Sequence, residues 1–462
     1  MAETACDMEM AQKIAQEVER HGGRTYFVGG CVRDELRGVA VKDLDIEIHG
    51  ISPSVLESIL DSLGERISIG ESFGIYNLKG YSVDIAMPRK EKVRGLGHKD
   101  FDVFVDPFIG TYGASKRRDF TYNALMKDVL SGEIIDHYNG RSDLENGILR
   151  HVNDETFAED PLRVLRGAQF AARFSSKVAP ETVSLCRRMS LAHLSKERIE
   201  GELRKAMLKA EHPSVFFETL REMDCLDEWF PELASLSGVG QNPKHHSEGD
   251  VWTHTMLVLD AAVKYRDMAE NPFGFMLAAV AHDFGKAICT EVIKGELHAY
   301  EHELKGLPLI KAFMQRITNE TKLIDYVLNL CELHMQPNIA ASVGSSVKST
   351  NKMFDRAADP QALIFLATAD GEGTISQYGY VSHMEFLTER LEIYREYMAR
   401  PYVMGRDLIA AGLAPGGDFA ELLSYAHTLR LAGIEKENAL KQVLAYAKKL
   451  RKMNCQTKCN RF

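Results

Sequence analysis

From Asp43 to Ile48 the chain alternates acid and apolar residues without interruption, and no other stretch constrains the fold as tightly. A period of two belongs to a β-strand, so Asp43, Asp45 and Glu47 share one face while Leu44, Ile46 and Ile48 face a core. Carboxylates crowded beside a low-dielectric sheet repel one another unless a cation lies between them. Oxygen-only ligands of this kind suit Mg²⁺, which takes one or two carboxylates together with substrate phosphates. Taken alone, "DLD" reads equally as a solvent-facing strand with harmless acids. The preceding "YFVGGCVRD" favours chemistry. Gly29 and Gly30 let backbone approach a phosphate, and Arg33 adds a guanidinium suited to its oxygens. A phosphate cradle followed by a metal-binding acid pair describes a nucleotidyl transferase site, in which Asp43 and Asp45 hold metals about 4 Å apart. Asp84, in "SVDIAM", is a candidate third acid on a neighbouring strand, although a buried or capping Asp is the commoner case.

The rest of the chain sets the frame for that site. Its 462 residues suffice for several domains. Hydrophobic content of 45% and charged content of 26% are those of an ordinary globular protein. No apolar run approaches membrane-span length, and "MAETACDMEMAQKIAQEVER" is too acidic for a signal or transit peptide, so a cytoplasmic location without membrane contact is expected. Eight scattered cysteines predict reduced thiols. Only Cys455 and Cys459 are close enough to consider as a metal pair, and a frayed terminus suits them better. The net charge of −10 does not advertise nucleic-acid binding, but local patches decide that, and "KRR" at 116–118 and "KKLRK" at 448–452 are two.

Periodicity divides the chain into an α/β head and a long all-α body. A helix is predicted over residues 9–21, strands at "TYFVGG", "DLDIEI" and "YSVDIAM", and a helix at "SVLESILDSLG" ended by Gly64. The glycine-dotted segment from Pro88 to Lys116 reads as a mobile loop. From about residue 154 the stripes become helical in "PLRVLRGAQFAARF", "KERIEGELRKAMLKA" and "PSVFFETLREMDCLDEWF". The tail from about 376 to 450 is helical again, broken at "GLAPGG".

Several motifs in order carry a resemblance: "GGCVRD…KDLDIEI", "RRDFTYNAL", "DHYNGRSDLENGILRHV", "EDPLRVLRGAQFAARF" and "ERIEGELRKAM". Together, over roughly residues 24–210, they resemble class II tRNA nucleotidyltransferases, the bacterial-type CCA-adding enzymes, with bacterial poly(A) polymerases as close relatives. The resemblance implies an α/β nucleotidyltransferase head with a small mixed sheet, followed by a helical neck. It assigns nucleotide binding to Arg118, with Asp119 near the ribose and Asn123 offering an amide to phosphate or base. It also assigns base selection to Asp160 and Arg163, neighbours on one helical face. Cytosine and adenine both carry an amine beside a ring acceptor, so one Asp–Arg pair serves both. Glu159 is expected to orient Arg163, and Arg166 to reach phosphate. Many relatives carry an arginine where this chain has Gln169, which removes one expected phosphate contact. Relatives that add only CC tend to have a shortened loop before the "RRD" motif; residues 90–116 show no obvious shortening.

A second ordered set comprises "HSEGDVWTHTM", "AAVAHDFGKA", "AYEHELKG", "CELHMQP" and "ATADGEG". It looks like an HD-superfamily metal phosphohydrolase. His254, His282, Asp283 and Asp370 match the minimal ligand set, His302 and His334 complete a second metal position, and Lys286 is placed at substrate phosphate. Mixed imidazole and carboxylate ligation suits a divalent transition metal better than Mg²⁺ alone. His245, His246 and His298 are expected nearby without being ligands. In similar CCA-adding enzymes such a domain implies phosphatase and 2′,3′-cyclic phosphodiesterase activity.

The resulting expectation is a head at 1–140, a nucleotide-selecting neck at 141–210, a helical body at 211–245, a phosphohydrolase domain at 246–375 and a tRNA-binding tail at 376–462. CTP, ATP and the 3′ end and acceptor arm of tRNA are the expected partners, Mg²⁺ serves the head, and no protein partner is implied. An A-adding enzyme, a poly(A) polymerase, an HD nucleotide hydrolase with a degenerate head and a non-catalytic RNA-binding protein are the competing readings.

Overall fold

The structure, a computed structural model, describes residues 2–41, 43–70, 74–93 and 101–459, and divides into two compact units, Met1–Pro231 and Glu232–Phe462. The first unit is built on strands β1 (Arg24–Val28), β2 (Leu44–His49), β3 (Arg66–Gly70), β4 (Ile75–Leu78), β5 (Val83–Ala86), β6 (Arg89–Val93), β7 (Phe101–Val105), β8 (Met126–Asp128) and β9 (Ile134–Ile135). Seven of them form one mixed sheet in the order β3-β4-β5-β2-β1-β8-β9. Within it only β2 and β5 run parallel. The alternation of β2 is realised as expected: Leu44, Ile46 and Ile48 are buried in a core shared with Ile14 and Val18 of the helix Ala2–Arg20 and Leu56, Ile59 and Leu60 of the helix Pro53–Leu63. That second helix starts on a Ser52 cap, whose hydroxyl accepts from the Val55 N–H, with Pro53 in its first turn. It ends at Gly64 in extended backbone rather than the left-handed turn glycine usually supplies there.

The segment from Pro88 to Lys116 departs from the expected mobile loop. β6 and β7 pair antiparallel from Arg89↔Val105 to Val93↔Phe101, and a helix spans Gly110–Lys116. Scattered glycines and charges mask the short alternation in "FDVFV", and pairing with a partner strand is what makes it a strand. Residues 94–100, on which the reading of loop length partly rests, lie outside the described residues, as do the side chains of Cys455 and Cys459. Six other cysteines are free thiols, as expected. Beyond the sheet, the helix Leu162–Phe174 packs against the helices Lys196–Lys209 and Ser214–Glu222.

Among the described residues, the second unit is helical apart from one small hairpin, Glu291–Ile293 with Glu296–His298. Its centre is the helix Pro272–Ala281, apolar all round and buried from Phe273 onward. The helices Val251–Ala262, Thr321–Leu333 and Pro360–Gly373 pack against it. Helices at Met384–Ala399, Gly405–Ala410, Phe419–Leu431 and Lys436–Cys459 follow, and the break at "GLAPGG" falls between the second and third. Leu408, Leu422, Leu429 and Val443 belong to a core of their own. Among the described residues, no helix is long and apolar enough to cross a membrane.

One close approach fixes the geometry of this unit. A Cβ added at Gly285 would lie 2.0 Å from the His302 carbonyl oxygen and 2.9 Å from the Gly306 nitrogen, so only glycine lets these two backbones touch. Gly201, inside the helix Lys196–Lys209, has nothing within 4 Å of its added Cβ. Gly285→Ala is therefore expected to destabilise the protein by about 1–3 kcal/mol through overpacking. Gly201→Ala is expected to be neutral or to stabilise by up to about 1 kcal/mol through helix propensity. Urea unfolding midpoints of the two variants check this pair.

Candidate functional site

The parallel register of β2 and β5 sets Asp45 directly opposite Asp84. Asp43 lies exposed just before β2. Burial raises the Asp45 carboxyl above its usual range and the charge of Asp84 raises it further, with Asp43 adding and Arg118 opposing. Asp45, Glu47 and Asp84 line a cavity of about 420 Å³ whose other charged lining residues are Arg89, Arg117, Arg118 and Arg163. Three acids facing four guanidiniums form a polarised pocket, suited to a polyanion carried with divalent metal. Gly29, at φ 70°, brings backbone alongside it. A Cβ there would lie 3.6 Å from Arg118 Nη1 and 3.7 Å from Asp45 Oδ2. Gly30 begins the short helix Gly30–Leu36.

Glu47 has a role that the strand alternation foreshadowed without assigning. Its carboxylate accepts from Arg118 Nη2 at 3.0 Å and lies 2.8 Å from His49 Nε2. Burial would raise this acid, but Arg118 and His49 together hold it below the usual range. Glu47 thereby aims Arg118 at the cavity.

Four residues expected at the nucleotide are bonded to one another. Arg33 is only 6% exposed and does not line the cavity. Its Nη1 donates to Asn123 Oδ1 at 2.8 Å, its Nε and Nη2 donate to Asp34, and its guanidinium stands 4.5 Å from the Phe174 ring centroid. Asn123 Nδ2 in turn donates to Asp119 Oδ1 at 3.0 Å, and Arg166 Nε donates to Asp119 Oδ2 at 2.8 Å. Burial would raise Asp119, but Arg166 and Asn123 hold it below the carboxylate range. Arg33, expected at a triphosphate, turns inward here, where two aromatic rings and an amide oxygen compensate its burial.

Asp160 and Arg163 occupy one helix start but do not reach for each other. Arg163 donates to the backbone carbonyls of Thr156 and Arg117, which hold its guanidinium at the cavity wall. Asp160 accepts Arg198 Nη2 on both oxygens, at 3.0 and 2.8 Å. Arg198 lies within the "ERIEGELRKAM" motif, and Arg117 within the basic "KRR", so their signals were in plain view but gave no partner. Gln169 is buried at 1% exposure with its amide beside Arg173.

In the second unit six candidate metal ligands converge from separate elements. His254 comes from the helix Val251–Ala262, His282 and Asp283 follow the helix Pro272–Ala281, and His302 opens the helix His302–Lys305. His334 joins two helices, and Asp370 lies on the helix Pro360–Gly373. Asp283 sits between two groups. Its Oδ2 lies 3.5 Å from His254 Nε2 and 3.3 Å from His282 Nε2, and its Oδ1 lies 3.1 Å from His302 Nε2. His302 and His334 bring their Nε2 atoms to 3.2 Å, and Asp370 lies 3.0 Å from His254 Nε2.

Every histidine in the set is anchored through Nδ1. The acceptors are the carbonyls of Ala279, Ala299 and Cys331 for His282, His302 and His334, and the Glu248 carboxylate for His254. That anchoring fixes the tautomer and presents four Nε2 atoms to one space, the arrangement that orients imidazoles toward a metal. His282 Nε2 is buried without a hydrogen-bond partner, which also fits a cation site. Burial opposes a proton on His254, but Asp370 and Glu248 raise it to about 9. Burial, His282 and His302 press His334 down to about 3. Lys286, expected at substrate phosphate, bonds Asp283 at 2.7 Å and Gln241 at 2.8 Å, and it lines the adjoining cavity of about 520 Å³. Glu248, quoted within "HSEGDVWTHTM" but not singled out, ties His254 and His246 together.

Comparison with known proteins follows the same division. The Poly A polymerase head domain family matches residues 25–150, and the family described as a probable RNA and SrmB- binding site of polymerase A matches residues 177–236. The multifunctional CCA protein of Actinobacillus pleuropneumoniae serotype 5b (strain L20) is 39% identical over 316 residues, covering 67% of this chain and 74% of that protein. That of Pasteurella multocida (strain Pm70) is 38% identical over 320 residues, with the same coverage. Among solved structures, a CCA-adding enzyme in complex with ATP aligns with a TM-score of 0.67 at 19% identity, over 95% of this chain and 94% of that one. The Thermotoga maritima CCA-adding enzyme complexed with tRNA aligns at 0.63 and 18%, over 95% of both chains. These structural likenesses establish the fold, and the identity to the curated relatives establishes the lineage: the chain belongs to the family of bacterial-type CCA-adding enzymes.

Proposed function

We propose that the first unit adds CMP, CMP and AMP from CTP and ATP to the 3′ end of tRNA, and that the histidine cluster of the second is a metal-dependent phosphohydrolase with phosphatase and 2′,3′-cyclic phosphodiesterase activity. The observation that carries the first half is the pairing of Asp45 with Asp84 in one cavity with four arginines. Mg²⁺ held by Asp43, Asp45 and Asp84 would activate the attacking hydroxyl and neutralise charge on the leaving pyrophosphate. The chain's own residues do the rest. Arg89, Arg117 and Arg118 balance the triphosphate, and Glu47 keeps Arg118 on aim. Arg163, held by two carbonyls, presents donors to a base acceptor, while Arg198 orients Asp160 to accept from a base amine. Arg33, Asn123, Asp119 and Arg166 support this layer from beneath.

For the second half, the supporting observation is the convergence of four anchored histidines on Asp283 and Asp370. A transition metal there would supply an activated water. The protein's part is to fix ligand orientation through Nδ1 and to hold Lys286 at the cavity edge. In the tail, exposed Lys448 and Lys449 support tRNA contact through backbone and shape, since every tRNA must be accepted. Such binding weakens as salt rises. A cytoplasmic location suits a tRNA substrate.

The match to a poly(A) polymerase head supports one competing reading, and product length separates the two. Given a tRNA transcript lacking CCA, with CTP, ATP and Mg²⁺, three additions needing both nucleotides are expected on a sequencing gel. A long A ladder, or AMP added only to an end already carrying CC, would overturn the CCA assignment. Asp45→Ala is expected to lower addition roughly a hundredfold or more while sparing phosphohydrolysis, and the double change His282→Ala with Asp283→Ala to do the reverse. In chelated enzyme, Mg²⁺ alone should restore addition. Recovery of hydrolysis should require Mn²⁺, Co²⁺, Ni²⁺ or Zn²⁺, read by phosphate release.

A further inference from the structure

The cavity at the histidine cluster does not end there. A second cavity of about 370 Å³ shares His246, Lys286 and Ala299 with it as lining residues, so the two adjoin across the Lys286 side chain. Two features of this second space have no role in metal binding.

One is an aromatic platform. The His298 and Tyr300 rings stack, with centroids 5.0 Å apart and planes 11° off parallel, and Tyr300 keeps 59% of its surface exposed. The hairpin pairing Glu291–Ile293 with Glu296–His298 delivers them. Its two turn residues, Lys294 at φ 53° and Gly295 at φ 85°, both adopt left-handed backbone, as a tight two-residue hairpin turn of type I′ requires. Tyr300 lies two residues before His302, so one segment carries both the platform and a candidate metal ligand.

The other feature is Gln241, which is 92% buried (8% exposed) and lines the same cavity. Its Oε1 accepts from Lys286 Nζ at 2.8 Å. An ammonium only donates, so the amide orientation is fixed and Nε2 must be the other atom. That Nε2 is buried with no hydrogen-bond partner, an unfavourable state relieved by an incoming acceptor.

We propose that this cavity is a nucleobase subsite, in which Tyr300, His298 and Gln241 give the histidine cluster its preference for nucleoside phosphoesters over base-free ones. The base lies on the Tyr300–His298 pair and accepts a hydrogen bond from Gln241 Nε2, and the sugar phosphate passes Lys286 to reach Asp283 and His302. This deepens the phosphohydrolase reading and rests on it.

The test uses the full-length protein loaded with a transition metal and two substrates. They are cytidine 2′,3′-cyclic phosphate and glycerol 1,2-cyclic phosphate, which has the same five-membered ring and no base. Tyr300→Ala is expected to lower the ratio of kcat/KM for the cytidine ester over the glycerol ester about tenfold, as loss of base stacking predicts, and Tyr300→Phe to restore it. A ratio identical in wild type and Tyr300→Ala overturns the subsite and leaves the phosphohydrolase intact. If wild type hydrolyses neither ester, the phosphohydrolase reading falls. The subsite is then read by titrating cytidine 2′-monophosphate onto the metal-loaded protein by calorimetry. There Tyr300→Ala must weaken binding about tenfold, and an unchanged Kd overturns the proposal.

Discussion

The first unit depends on a buried run of polar contacts: Arg33 to Asn123, Asn123 to Asp119, and Asp119 to Arg166. Arg33, Asp119 and Asn123 leave water together with Arg166 half-buried beside them, which is tolerable because donors meet acceptors along the run. Removing one member would strand the others, a loss far larger than that of any surface ion pair. The chain ties the short helix after Gly29 to the "RRD" segment and to the helix Leu162–Phe174, whose Phe170 and Phe174 also face the guanidinium of Arg33. The cavity residues Arg118 and Arg163 belong to these tied segments, so the network fixes their backbones while other contacts aim their side chains.

The second unit solves a different problem by the same means. Asp283 and Asp370 are surrounded by histidines, and the carboxylates and imidazoles set one another's charge. Glu248 and Asp370 favour a proton on His254, whereas burial and two neighbouring rings keep one off His334. The anchored Nδ1 atoms mean that this competition takes place at Nε2, in the space the ligands share. Gly285 and Gly306 permit the backbone contact that brings His302 to Asp283. The glycine after "HDF" is therefore as much a part of the site as the ligands it follows.

Much of this was legible in the linear chain because short-range periodicity carries it. The β2 strand and the helices of the neck follow from apolar spacing within a few residues, and the break in the tail from the glycines and proline of "GLAPGG". The β6–β7 hairpin was not legible, because its pattern is short, its glycines suggest a loop, and only a partner strand decides the matter. Asp84 was ambiguous for the same reason: alternation places it on a strand face, while the parallel pairing with β2 puts it opposite Asp45.

By itself the sequence determined the order of elements, the carriers of chemistry and the family, since these depend on residue identity and local spacing. Only the tertiary structure decided what each charged residue faces. Arg33 and Arg118 read alike in the chain, yet one is buried against Asn123 and aromatic rings while the other is aimed into the cavity by Glu47. Likewise, nothing local distinguishes Gln241 from any loop glutamine until Lys286, 45 positions away, claims its oxygen and leaves its nitrogen unpaired. The physical reason is that burial and electrostatic partnership are properties of the packed environment, assembled from segments that the chain holds far apart.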